Sequence, residues 1–253
     1  MELTMKTFLI ICPLVFLGGI VDAMGGGGGL ITLPAYMLAG LPAHFAIATN
    51  KLSASCGTLV AALKFLRERL VNFKLVLPAI LNAVVGSLIG ARLSLLTDEK
   101  YLKVIMIPIL AIAAFFVLNK NMFGKEYPDE IILSSRTYII TSLSALVVGV
   151  YDGFYGPGTG TFLIIALNTF AHLNIKSANA QTKIINMTTN ISSLCVFIVE
   201  GQIIWMLGIV AALCGMAGNY IGASLAISKG SKITKPVILV VLGLLLLKIV
   251  LGL

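Results

Sequence analysis

Charge is what this sequence has least of. Only 11% of its 253 residues are Asp, Glu, Lys or Arg, against roughly 25% in soluble domains. A soluble fold of this size needs a charged coat, and too few charged residues are present to make one. Histidine is scarcer still: His44 and His172 stand far apart. The four cysteines, Cys12, Cys56, Cys195 and Cys214, all lie inside apolar runs without a CxxC spacing, and they read as small packing residues. Zinc-type ligand sets are therefore missing, and no Ser/His/Asp or Cys/His pattern joins a nucleophile to a base. These absences argue against an enzyme, a metal or a cofactor. Acidic residues are few relative to basic ones, 10 against 18, for a net charge of +8. No basic stripe with interleaved aromatics accompanies that excess, so nucleic acid is not an expected partner. The basic residues fall mostly in short loops between apolar runs, which is the bias of cytoplasmic loops.

What the chain has in abundance is hydrophobic length. Apolar residues make up 58% of it, and the mean hydropathy is +1.04. The runs are too long and continuous for the alternation of barrel strands, so the fold class is an all-α integral membrane protein. Runs at 7–23, 30–41, 44–65, 73–96 and 101–119 precede a polar stretch from Asn119 to Glu130, and runs at 136–152, 161–173, 176–199, 203–227 and 233–252 follow it. The first run, after Lys6, imitates a signal peptide but lacks a small-residue cleavage site, and it is expected to be a retained helix. The polar stretch divides the chain into two transmembrane repeats, residues 1–128 and 129–253.

The halves align at a nearly constant offset of 132 residues. Lys51 matches Lys183, Glu68 matches Glu200, and Gly86 and Gly90 match Gly218 and Gly222. Such an internal duplication is typical of transporter folds. Each repeat is expected to hold four long helices plus one short half-helix. The short runs, 30–41 and 161–173, cover less than the roughly 30 Å of hydrocarbon. The loop from Lys64 to Lys74 is basic, whereas its counterpart around Glu200 has no basic residue. That asymmetry predicts inverted repeats with both termini outside. Gly86-x-x-x-Gly90 and Gly218-x-x-x-Gly222 are expected to be helix-packing faces.

Each short run follows a glycine-rich break. Gly25 to Gly29 form an unbroken run after Asp22, and Asp152 precedes Gly153, Gly156, Gly158 and Gly160. Glycine disfavours a helix interior by about 1 kcal/mol relative to alanine. In lipid, unwound backbone is tolerated only where protein covers it or it lines a cavity. The Gly25–Gly29 run is not a phosphate loop, because it lacks the strand and the Lys-Ser/Thr ending. Lys51 and Lys183 lie well inside apolar runs, after the polar pairs Thr49-Asn50 and Gln181-Thr182. A lysine at the centre of a membrane helix costs about 2.5–3.5 kcal/mol on insertion scales, so two at equivalent positions point to a shared site. On one reading the lysines attract an anion, with Thr49, Asn50, Gln181, Thr182 and Asn186 supplying hydrogen bonds. Gly27, Gly28, Gly29, Gly158, Thr159 and Gly160 then present helix N-termini to the same anion. Asn190 shares the face of Lys183 and Asn186. On the other reading each lysine neutralises Asp22 or Asp152 and holds the fold, the pairing to test being Lys51 with Asp22. Both acids end long helices, where the dipole disfavours a carboxylate, and they are candidates for proton coupling or ion pairing.

The run Gly25–Gly29 followed by Pro34, then Gly40-Leu41-Pro42 and Ala48-Thr49-Asn50-Lys51, resembles the first repeat of the TauE/SafE family of membrane transporters. Tyr151-Asp152-Gly153-Phe154-Tyr155-Gly156-Pro157-Gly158-Thr159-Gly160 and Thr182-Lys183-Ile184-Ile185-Asn186 are similar to its second repeat. Pro157 and Thr159 interrupt the more glycine-rich form of that second motif. The resemblance implies a multi-pass protein of the bacterial inner membrane that transports sulfite, thiosulfate, sulfoacetate or related organosulfur anions. The expected partners are a small anion and the bilayer, and a homodimer is left open. The alternatives to a transporter are an anion channel and a structural membrane component.

Overall fold

The glycine run sets where the first helix stops. In the computed structural model, which describes residues 4–98, 101 and 126–251, helix α1 (Met5–Gly25) closes on Gly26. Gly26 takes the left-handed conformation at φ +77° and donates its N–H to the Asp22 carbonyl at 2.7 Å. This is the favoured glycine ending of a helix, because a Cβ resists that conformation. Helix α2 (Gly29–Leu38) restarts after the break and has only 10 residues, about 15 Å of rise. The long helices α3 (Ala43–Arg67) and α4 (Phe73–Leu96) follow. The second half repeats the order with α5 (Ser135–Phe154), a break at Gly158 (φ +86°), and the 11-residue α6 (Thr159–Thr169). Then come α7 (Ile175–Val199), α8 (Trp205–Lys229) and α9 (Ser231–Leu251).

Among the described residues every regular element is a helix. Helices α1, α4, α5, α7 and α8 are long and apolar enough to span a membrane. Helix α3 matches α7 in length but carries three basic residues, Lys51, Lys64 and Arg67, against Lys176 and Lys183 on α7, and is not among them. Each predicted run meets its helix to within a few residues, except that of 101–119, which lies outside the described residues apart from Tyr101.

The halves are interleaved. Helix α4 packs most extensively on α5, and α8 on α1, so the fourth helix of each half lies along the first helix of the other. The glycine pairs make this possible. A Cβ at Gly86 would stand 2.3 Å from the Leu146 carbonyl oxygen, and one at Gly90 2.0 Å from that of Val150. Gly218 and Gly222 approach the carbonyls of Phe16 and Ile20 in the same way, at 2.1 and 2.3 Å. Helices α3 and α7 pack on each other, α3 also on α8 and α7 also on α4. The breaks cross at the centre: a Cβ on Gly26 would lie 2.1 Å from the backbone of Gly160. Thr161 ties the crossing by donating its N–H to the Gly26 carbonyl at 3.3 Å and its hydroxyl to that of Gly25 at 2.5 Å.

This crossing generates a contrast between glycines. Gly160→Val is expected to yield no folded protein, because it drives a side chain into the backbone of Gly26. Gly40→Ala, at φ +90° but with open space around it, is expected to fold with a loss of about 1–2 kcal/mol. Thermal melts of detergent-purified protein read both, and a normally stable Gly160→Val would show that the breaks do not touch.

Candidate functional site

Helix α3 carries Lys51 into the protein at 2% exposure, where an unpaired ammonium is not tolerated. Its Nζ lies 2.8 Å from Asp152 Oδ2 of the other half and donates to Asn190 Oδ1 at 3.1 Å. Asp152 Oδ1 accepts from the Thr159 hydroxyl at 2.7 Å, so the second break both ends α5 and holds its acid. Gly156 makes room for the pair: a Cβ there would stand 3.1 Å from both Asp152 Oδ1 and Lys51 Nζ. The reciprocal pair joins Lys183 on α7 to Asp22 on α1. Lys183 Nζ lies 3.3 Å from Asp22 Oδ2 and donates to the Asp22 carbonyl at 2.5 Å. Each lysine thus meets the acid of the opposite half. Pairing within one half, Lys51 with Asp22, is the natural guess from chain order. The interleaving of α1 with α8 and α4 with α5 overrides it.

A cavity of about 50 Å³ lies beside these pairs. At roughly 10–15 Å³ per water, it has room for about four waters or one small oxyanion. Lys51, Asn50, Asp22, Asp152, Thr159 and Asn186 line it, as do Gly28 and Gly29 at the first break. Gly28 is helical, at φ −55°, and its need for glycine is steric: a Cβ would lie 2.5 Å from the Gly18 carbonyl oxygen. Gly27 lies between the lining residues Gly26 and Gly28, Gly158 is a turn residue just before Thr159, and Gly160 packs on Gly26. Lys183 is fully buried behind Asp22 and is not part of the lining. The pairs differ in access, since the Asp22 side chain is 16% exposed and that of Asp152 3%. With two acids and two lysines the site carries no net formal charge.

Two of the remaining predicted residues, Thr49 and Gln181, are braces. Thr49 accepts the N–H of Ile204 at 3.1 Å. Gln181 accepts the N–H of Asn72 at 3.0 Å and donates to the Leu70 carbonyl at 3.1 Å. Both the braces and their targets are related by the repeat offset of 132, so each half pins the other half's loop between its third and fourth helices. Thr182 is buried and its hydroxyl has no hydrogen-bond partner.

Sequence reasoning passed over Ser53, Thr32 and Asn219, which also line the cavity. Ser53 shares a hydrogen bond with the Tyr36 hydroxyl at 3.0 Å. Asn219 had a signal: it is the one carboxamide in the apolar run 203–227. Asn190 faces Lys51 rather than the lysine of its own helix. Arg92 pairs with Glu200 at 2.7 Å at the exposed rim.

A family model described as "Sulfite exporter TauE/SafE" matches residues 11–249. A Haemophilus influenzae protein described as "Probable membrane transporter protein" is 34% identical over 253 residues, covering 99% of this chain and 97% of its own length. The "Probable membrane transporter protein ORF9" of a Sinorhizobium species is also 34% identical, over 89% of this chain and 85% of its own. The Bacillus subtilis "Probable membrane transporter protein YdhB" is 26% identical over 85% and 88%. No solved structure matches significantly.

The exchanged pairs predict which double substitution rescues. Lys51→Gln leaves Asp152 buried without a cation and is expected to cost about 3–5 kcal/mol. Adding Asp152→Asn is expected to restore most of that stability, whereas adding Asp22→Asn is not. Chemical unfolding of the three proteins checks this, and rescue by Asp22→Asn alone would contradict the pairing across halves.

Proposed function

This chain belongs to the TauE/SafE sulfite exporter family, a family of multi-pass membrane transporters, and we propose that it carries small sulfur-containing oxyanions such as sulfite, thiosulfate or sulfoacetate. The observation that carries the reading is the Lys51–Asp152 pair on the wall of a cavity sized for one such anion. A lysine already paired with a carboxylate is a weak anion receptor. It becomes a strong one when an acid at the site takes a proton, because the positive charge is then uncompensated. Asp22 is the acid suited to that step. It faces the cavity, it is the more exposed of the two, and its contact with its lysine is the longer. Entry of a monoanion with one proton keeps the buried site neutral, which couples the two movements. Asn50 and Asn186 supply hydrogen bonds to the bound anion, while the Thr159 hydroxyl holds Asp152.

Access alternates between the two sides as the halves move relative to each other, in the manner of inverted repeats with both termini outside. Support for the inversion comes from the two ends of α7. Gln181, near its start, bonds Asn72 at the start of α4, whereas Glu200 at its end pairs with Arg92 near the end of α4. The loops at 68–72 and 200–204 therefore lie toward opposite ends of α4.

Uptake by sealed vesicles tests the coupling. An imposed proton gradient is expected to drive sulfite, at a pH where it is held as its monoanion, against its own gradient, and Asp22→Asn is expected to abolish the uphill movement. Flux that follows the anion's electrochemical gradient alone would indicate a channel. For the topology, Glu68→Cys and Glu200→Cys on a cysteine-free background are expected to label from opposite sides with an impermeant thiol reagent, and labelling of both from one side would mean parallel repeats.

A further inference from the structure

The cavity wall holds one buried acceptor that the protein leaves unsatisfied. Asn219, on α8, is 4% exposed and lines the cavity next to Gly19 and Ser53. Its Nδ2 donates to the Gly215 carbonyl at 3.0 Å and is wedged among glycines. A Cβ at Gly57 would stand 2.5 Å from that nitrogen, and one at Gly19 3.0 Å. The Gly215 carbonyl decides which end of the amide is nitrogen and leaves the oxygen as the end without a partner. Asn219 Oδ1 has no hydrogen-bond partner. Among the described residues, the other partnerless buried polar atom on this wall is Asp152 Oδ2, and it has Lys51 Nζ 2.8 Å away. At the repeat-equivalent position, Ser87 donates to the Thr189 carbonyl at 2.5 Å, so the open acceptor exists on one side of the molecule only. Buried acceptors are normally satisfied, and an exception at a cavity marks a place for a donor.

Charge narrows what that donor belongs to. The four charged groups sum to zero, and the cost of taking an ion out of water grows with the square of its charge. One proton on Asp22 offsets a monoanion and leaves a dianion uncompensated. The deprotonated oxygens of an oxyanion are themselves acceptors and are repelled by an amide oxygen, so only an X–H group satisfies Asn219.

We propose that the site selects a singly charged oxyanion that keeps an acidic O–H, which it donates to Asn219 Oδ1 while its charged oxygens turn to Lys51. The proposal rests on the anion-transport reading above. Hydrogensulfite and methanesulfinate test it as a matched pair, because both are pyramidal monoanions and a methyl group replaces the O–H in the second. Binding of each to the purified full-length protein is measured by calorimetry at a pH where sulfite is held as its monoanion. Hydrogensulfite is expected to bind about tenfold or more tightly than methanesulfinate, and Asn219→Ala is expected to remove most of that difference by weakening hydrogensulfite alone. Equal affinities in the unmodified protein overturn this proposal by themselves, whether or not the variant folds. A preference that persists in Asn219→Ala overturns the assignment to Asn219. Binding of neither anion overturns the transport reading together with this one.

Discussion

The buried ammonium of Lys51 is the constraint on which the rest of this structure depends. At 2% exposure it needs a carboxylate, and the one it meets belongs to the other half of the chain. That requirement ties α3 to the end of α5. It also makes Gly156 necessary beside the pair, and it turns the glycine-rich break from a spacer into part of the site. The reciprocal pair of Lys183 with Asp22 imposes the same demand from the other side. Two halves joined in this way cannot separate without uncovering two buried lysines, each at a cost of several kcal/mol. Interleaving is thus an electrostatic necessity as well as a packing preference.

Close backbone approach makes that electrostatic arrangement reachable. Short helices and crossing breaks bring Gly26 onto Gly160, and paired glycines let α4 and α8 lie directly on α5 and α1. In a membrane, helices gain little from hiding apolar surface from one another, so association relies on such close contact and on interhelical hydrogen bonds. Thr49 and Gln181 supply two of these bonds at equivalent positions. The scaffold is therefore nearly two-fold in its contacts.

The cavity does not share that symmetry. Asn190 and Asn186 stand on α7 where Thr58 and Ala54 stand on α3, and Asn219 on α8 takes the place of Ser87 on α4. Carboxamides thus collect around Lys51, while Lys183 stays sealed behind Asp22. One half's pair faces the cavity and the other's backs it. Duplication supplied the frame, and divergence of a few polar side chains made one side of it the wall of the cavity. This division allows a tightly held pair, Lys51 with Asp152, and a looser acid, Asp22, to take different roles at one site.

Much of this was legible in the chain itself. Hydrophobic run length determined the helices, because a segment in lipid must satisfy its backbone internally whatever its neighbours do. The glycine runs marked both breaks for an equally local reason, and the offset between Lys51 and Lys183 revealed the duplication. Even the residues of the site were mostly visible as polar groups where apolar ones belong. What the sequence could not decide was their partners. Thr49 and Gln181 read as ligands and brace loops instead, Asn190 serves the lysine of the other half, and Asn219, next to the packing glycine Gly218, was passed over. An offset shows which residues are equivalent but not which ones meet, since either acid satisfies either lysine on charge alone. The choice was made by the crossing of the helices, where glycine contacts far apart in the chain bring Asp152 to Lys51 and Asp22 to Lys183.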